Sequence, residues 1–436
     1  MPTPSLILVP ARFKTGKLYT PYATTSGGVV LGASGDFNVT RATTATRVNA
    51  SGLIEVVASG IPRLDYYTSG GTAGCPALLV EPSGTNGILN SENTATNWAL
   101  GLNLSSGYVD VIGVSGNNLT VAVSGSNIGT AAGRLTRANN NFALASGSTY
   151  TISFLIKKTG THTIGGYYAL LTGAASGNLG AGFDISGSFS SGAIYNTAGT
   201  TNRIRRVEEW GTDVYRCSET FTMTASGTLG FLYFAPVSGV TSAFNPAVGL
   251  GIAFAAPQIE LGSLPTSFIP TTTASATRNA DNISLSGVVS GCIGQTEGTI
   301  YAEVDIQFNN RNADIIGLDS GSSANGFYLT IRSSSVIELR IRQNSTNALI
   351  FQRTGAYPVG INKIAVSYKN GDFAISLNGT TTQVDTTTIT MPSVAITRAS
   401  VVPSINFTLD QSVRVRSAAL YTTRLTNTEL AALTTL

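Results

Sequence analysis

The sequence predicts an all-β chain: an extended N-terminal arm, two tandem antiparallel β-sandwiches (jelly rolls) and a short C-terminal helix. Three observations predict it. Short apolar–polar alternating segments recur at regular intervals with turn residues between them, as in a sandwich. Asn370-Gly371 and Asn378-Gly379 interrupt KIAVSYKNGDFAISLNGTTTQV, the strongest short-range hairpin signal. A capping box, Thr426 with Glu429, opens a short helix in LTNTELAAL at the end of the chain.

Composition narrows the function classes. Charged residues make up 11% of the chain, against roughly 25% in ordinary soluble proteins. Solubility therefore rests on hydroxyl and amide groups. A hydrophobic share of 42% is ample for packed cores and excludes disorder. The net charge of +3 is too small for a nucleic-acid binder. The tightest basic group, Arg203, Arg205 and Arg206, is answered at once by Glu208 and Glu209. The apolar run Leu6 to Val9 is short, and Arg12, Lys14 and Lys17 follow it instead of preceding it, so neither a secretory signal nor membrane insertion is expected. Cys75, Cys217 and Cys292 fit no disulfide framework or metal spacing and are expected as small reduced core residues. That suits folding in a bacterial cytoplasm.

Residues 1–85 are rich in Pro, Gly and Thr, with short β-prone runs, and read as an arm that docks on a neighbour. Its centre is Phe37 to Tyr66, where RATTATRV is followed by GLIEVV. The docking candidates there are Arg41, Arg47, Leu53, Ile54, Arg63 and Tyr66. Residues 86–271 carry the evenly spaced strands YTISFLIKK, LGAGFDI, VYRCSETFTMT, TLGFLYFAP and GLGIAFAAPQIEL. In the first of these Tyr150, Ile152, Phe154 and Ile156 share a face, the period of a half-buried strand. Residues 272–295 read as a Ser/Thr-rich linker after Pro270. Residues 296–436 open on GTIYAEVDIQF, where Ile300, Ala302, Val304, Ile306 and Phe308 alternate with Tyr301, Glu303, Asp305 and Gln307, and continue into a three-stranded meander.

Several of these motifs carry resemblances. The strip FNVTRATTATRV…RLDY resembles a segment near the start of bacteriophage fibre and appendage proteins. NSENTATNW, WGTDVYRCSETFT and APQIELGSLPTSFIPTT together resemble the carbohydrate-binding-module-like jelly rolls of phage fibres. GTIYAEVDIQ, the YKNGDFAISLNG meander and the strand-then-helix ending are similar to concanavalin A-like or laminin-G-like sandwiches. The resemblance implies a virion structural protein, a tail or head fibre subunit, assembled in the bacterial host cytoplasm. It implies a homotrimer that contacts other virion proteins (a tail adaptor or nozzle, or the capsid) and adsorbs to host-surface polysaccharide or lipopolysaccharide.

The chain offers little catalytic chemistry. Its one histidine, His162, stands in a Gly/Thr-rich turn without zinc partners. Glu303-Val304-Asp305-Ile306-Gln307 resembles the E-x-D-x-E strand of concanavalin-like glycoside hydrolases, but an amide at the last position cannot serve as a proton donor. No enzyme is expected, with a glycan depolymerase on that strand as one alternative and a head-decoration fibre of little ligand specificity as another. A glycan face is expected instead. In GFYLTIRSSSVIELRIRQN, Tyr328, Arg332, Glu338, Arg340 and Arg342 fall opposite the apolar Phe327, Leu329, Ile331, Leu339 and Ile341. An aromatic ring that stacks on a sugar and side chains that bond its hydroxyls make a sugar site. Tyr167 and Tyr168 are further candidates, while Trp98 and Trp210 are assigned to packing. No cofactor is expected beyond a structural calcium, for which Asp184 and Asp213 are the donors considered.

Overall fold

The computed structural model describes the chain except residues 1, 26–27, 29–31, 69–70, 92–97, 101–120, 124–134, 138–140, 159–162, 187–190, 198, 237–251, 309–311 and 404–411. His162 lies outside the described residues. The molecule is all-β, built of antiparallel sheets, with one α-helix among the described residues. That helix, Asn427–Leu433, begins on the expected capping box: Thr426 accepts from the Glu429 N–H and Glu429 reaches back to the Thr426 N–H. No helix among the described residues is long and apolar enough to cross a membrane.

Two sandwiches form, but the chain does not build them in sequence order. The larger, here the base, has two nine-stranded sheets among the described residues. Its first sheet centres on Glu297–Ile306, which pairs with Gly360–Lys369 on one side and Val413–Tyr421 on the other. The expected meander follows from Gly360–Lys369 through Phe373–Leu377 to Gln383–Asp385. The far side of Val413–Tyr421 is occupied by N-terminal strands: Leu6–Leu8 pairs Leu6 with Leu420, and Gly71–Val80 pairs Val80 with Val413. In the second sheet Phe37–Thr40 pairs with Asn282–Ser286, which pairs with Arg398–Val401. The sheet then runs through Ala313–Asp319, Gly326–Ile331 and Ile337–Gln343.

Residues 1–85 are therefore not a separate arm, and 272–295 are not a linker. Leu6, Leu8, Leu18, Phe37, Val39, Leu64 and Val80 share one core with Ile283, Leu285, Ile300, Phe327 and Ile375. The first region is too short and too polar to bury a core alone, so its alternating apolar residues are buried only by joining a sheet completed by the C-terminal region. Cys292 and Cys217 are buried as expected, whereas Cys75 is exposed.

The second sandwich is inserted into the first. Its entry strand Gly84–Asn86 pairs with its exit strand Ala276–Arg278, matching Gly84 with Arg278 and Asn86 with Ala276. Between them, one sheet carries Gly227–Pro236, Ile164–Gly173, Gly177–Asp184 and Ser191–Thr197, and the facing sheet carries Ile252–Leu261, Thr149–Lys158, Val214–Met223 and Thr200–Gly211. Tyr150, Ile152, Phe154 and Ile156 point into the core between them with Tyr167, Phe183, Phe221 and Phe234. On the opposite face of that strand Thr151 and Ser153 are buried too. The chain after Leu261 folds back over that face, where Gly262 O accepts from the Thr151 hydroxyl at 2.9 Å and Ser263 O from the Thr220 hydroxyl at 2.9 Å.

A buried ionic network fastens the two sandwiches at this neck. Arg41 Nη1 lies 2.8 Å from Asp281, Arg63 bridges Asp281 and Glu81 (2.6 Å to the latter), and Arg278 lies 3.0 Å from Glu81. The Ser267 N–H donates to Glu81 at 2.8 Å from the inserted sandwich. Arg414 Nε donates to Asp65 at 2.6 Å. A second fastening is apolar: Val48 and Ile54, from the hairpin Ala45–Val48/Ile54–Val57, pack with Tyr67 against Leu155, Trp210, Val214 and Phe268.

Candidate functional site: an outward aromatic strip

The sheet formed by Ile164–Gly173, Gly177–Asp184 and Gly227–Pro236 turns one face to the core and one outward. On Ile164–Gly173, Tyr167, Ala169 and Leu171 are buried, and Tyr168 and Leu170 between them are half-buried. The neighbouring strand matches Tyr168 with Tyr233 and Leu170 with Phe231, so all four share the outer face. Phe231 and Tyr233 lie nearly parallel, their ring centres 6.2 Å apart at 8°, and Tyr168 lies 5.9 Å from Tyr233. On the other flank Gly180 faces Tyr168. A Cβ there would fall 2.7 Å from Tyr167 O and 3.3 Å from Tyr168 Cα, so glycine keeps the strip flat. Asn178, half-buried and matched with Leu170, and the exposed Thr172 supply polar groups at the rim. The result is a shallow row of rings edged by amide and hydroxyl groups.

Tyr168 is the one sugar-face candidate that the fold places on this strip. Its neighbour Tyr167 points inward, as adjacent strand residues must. Tyr167 is fully buried and its hydroxyl donates to Glu219, whose two oxygens also accept from Arg203 Nε and Nη2, each at 2.7 Å. Burial, and then the Glu219 charge, hold the Tyr167 hydroxyl well above its ordinary pKa. This is a satisfied core triad.

The other candidates form a closed polar layer. Tyr328 faces Arg340, Thr330 faces Glu338 and Gly326 faces Arg342, opposite the core residues Phe327, Leu329, Ile331, Leu339 and Ile341, as expected. Yet Tyr328 is fully buried. A Cβ on Gly317 would stand 3.1 Å from its ring and 2.8 Å from Pro403, so the ring is wedged over a glycine beside a proline. Glu338 is fully buried and accepts from Arg340 Nε at 2.8 Å and Gln352 Nε2 at 2.7 Å, with Arg332 at 3.6 Å. Arg342 Nη2 donates to Ser345 O at 2.7 Å. Glu338, Arg340 and Arg332 thus pair with one another, Arg342 is held by Ser345 O, and Tyr328 presents no open ring face.

The docking candidates divide similarly. Arg41 and Arg63 are buried in the neck network and Ile54 in the interdomain cluster. Arg47 pairs with Glu55 at 3.1 Å, Tyr66 is half-buried and Leu53 is exposed. Trp98 is buried, its Nε1 donating to Asn90 O at 3.2 Å, and Trp210 is buried in the interdomain cluster. Glu303 pairs with Arg416 at 2.9 Å. Asp305 is buried, and burial raises its carboxyl pKa against the pull of Arg414 and Arg416. Asp184 accepts from the Ser186 N–H at 2.8 Å. No group of three or more His, Cys, Asp or Glu able to hold a metal gathers among the described residues.

Sequence reasoning missed Phe231 and Tyr233. In GTLGFLYFAP nearly every residue is apolar, so no alternation is visible. A bulge compounds this: Leu170 matches Phe231 and Leu171 matches Leu229, leaving Gly230 as the extra residue. Strict period two from the core residue Leu229 would send Phe231 and Tyr233 inward.

No family model matches the chain. No curated protein matches it either. Among solved structures, the carbohydrate-binding domain CBM40 of the Ruminococcus gnavus IT-sialidase bound to alpha2,3 sialyllactose is 14% identical, with a TM-score of 0.29, over 34% of this chain and 86% of that one. The NanB sialidase of Streptococcus pneumoniae (K499G mutant) is 15% identical with a TM-score of 0.28, and the match spans 34% of this chain but only 26% of that one. The receptor-binding domain of the botulinum neurotoxin C/D mosaic serotype is 15% identical with a TM-score of 0.26, over 35% and 40% of the two chains. No family follows from likenesses of this size.

Proposed function

We propose that this chain is a non-enzymatic binding subunit of a bacteriophage particle, and that its inserted sandwich holds host-surface glycan on the aromatic strip. The observation that carries the glycan reading is the outward row Tyr168, Tyr233 and Phe231. Hexose rings present flat C–H faces that pack on aromatic rings, and their hydroxyls bond amide and hydroxyl groups such as those of Asn178 and Thr172. A low-charge surface also suits a fibre-type appendage built from several copies, where weak contacts add through valency. The resemblance of the sequence motifs to those of phage fibres is what favours the particle assignment. Leu53, Arg47 and Tyr66 remain the docking candidates not committed to the interior. The depolymerase reading has less support, because Glu303 and Asp305 each face arginine and Gln307 occupies the third position.

The test is binding of purified protein to a glycan array and to host cell-surface polysaccharide. Each of Tyr168→Ala, Phe231→Ala and Tyr233→Ala is expected to cost about 1 kcal/mol, about fivefold in Kd. Unchanged binding by a folded triple variant refutes the strip as the site.

A further inference from the structure

The sheet under the aromatic strip is almost without charge. Its strands Ile164–Gly173, Gly177–Asp184, Ser191–Thr197 and Gly227–Pro236 hold one charged residue between them, Asp184. Asp184 is an acid, and it is matched with Ile164, four residues along the strand from Tyr168. The next strand, Leu135–Arg137, matches Thr136 with Tyr233, so a hydroxyl residue stands in register beside the strip, while Arg137 is matched with the core residue Leu232. One arginine reaches the sheet from elsewhere: Arg203 Nη2 donates to Gly180 O at 2.7 Å. Its side chain is 4% exposed and is committed to the buried Glu219, on the core side with Tyr167.

Sugars differ by charge in what they ask of a site. A neutral hexose needs an apolar surface for its C–H face, and amide or hydroxyl groups that both give and accept hydrogen bonds for its hydroxyls. Tyr168, Tyr233, Phe231, Asn178 and Thr172 supply that set. A carboxylate, sulfate or phosphate set against the rings loses water and requires a cation or several N–H donors in its place. The strands of the strip bring the Asn178 amide and neither arginine nor lysine. We infer that the strip selects neutral glycan, built of uncharged hexoses or N-acetylhexosamines, and rejects sugars that carry a carboxylate, sulfate or phosphate. This rests on the strip as the sugar site and adds the charge class of its ligand.

The full chain is tested on an array of neutral glycans (dextran, mannan, galactan and chitin fragments) and acidic ones (sialyllactoses, hyaluronan and sulfated galactan fragments). The best neutral polymer and its carboxymethylated derivative are then titrated against the wild type and the Tyr168→Ala/Phe231→Ala/Tyr233→Ala variant. Neutral glycans are expected to bind, with Kd changing less than about twofold between about 20 and about 500 mM sodium chloride, because no ion pair is there to be screened. Carboxymethylation is expected to weaken binding about tenfold, since the added charge is desolvated without a partner. Acidic glycans that bind as tightly, or binding that falls steeply with salt, overturn the inference; if the triple variant loses that binding, the strip stands as the site and only its charge class is wrong. Binding that the folded triple variant keeps removes the strip itself, and the inference with it. Absence of any neutral ligand on the array overturns it as well.

Discussion

Arg63→Met removes the central cation of the neck while keeping most of its aliphatic volume. Arg63 is fully buried and bonds Glu81 at 2.6 Å, Ser267 Oγ at 2.9 Å and Thr46 O at 3.2 Å, besides Asp281. Breaking a buried pair by deleting one partner costs about 3–5 kcal/mol, because the other charge stays behind. For a cooperative unit the size of the base sandwich, each kcal/mol lowers Tm by about 2–4 °C, so the expected drop is about 6–20 °C. Calorimetry gives the drop directly, and urea unfolding followed by tryptophan emission gives the free energy. A cycle with Asp281→Asn should show coupling of about 1–3 kcal/mol. The pH dependence has a definite sign. Burial alone would raise the Glu81 carboxyl, but Arg278, Arg63 and two serine hydroxyls outweigh it and hold its pKa well below the ordinary value. A depressed carboxyl contributes stability above its unfolded pKa, near 4.5, and loses it as pH falls toward the folded value. Arg63→Met should flatten that acid limb. A loss under about 1 kcal/mol, or additive single variants, refutes the network as a fastening.

Three further outcomes follow from the topology. Replacing residues 87–275 by a short Gly-Ser turn should leave a soluble β-rich base of lower Tm, since Asn86 and Ala276 are already paired; loss of the β-sheet circular dichroism signal would contradict the insertion. Deleting residues 37–66 should instead abolish folding, because it removes the strand matched to Asn282–Ser286 together with Arg41 and Arg63; soluble, cooperatively melting protein would contradict it. A thiol reagent should modify one cysteine rapidly in the native protein, Cys75, and all three in urea.

What could be read from sequence was local. The meander through Phe373–Leu377 was legible because Asn-Gly turns impose hairpins, and the terminal helix because Thr426 and Glu429 stand three residues apart. Face assignments also held on Ile337–Gln343, where alternation is strict. Burial of the polar face was illegible, since nothing near Tyr328 in sequence announces Gly317 and Pro403 beside it. Membership of the N-terminal strands in the base was illegible for the same reason. Leu6 and Leu420 are partners, but each looks like any strand residue, and the acid that binds Arg41 lies 240 positions away. The aromatic strip was half legible: Tyr168 stood out, while the bulge at Gly230 hid its partners.

The closure of the base by its two ends sets the timing of its synthesis. The Ser5 hydroxyl bonds Leu420 O across 415 positions, so the first strands emerge from the ribosome long before their partners exist. At about 5–20 residues per second, they wait roughly 20–80 s with open edges. The inserted sandwich is contiguous and meets no such delay. It is expected to fold first, on the nascent chain, and its paired neck then holds the two halves of the base near each other when the last strand is released.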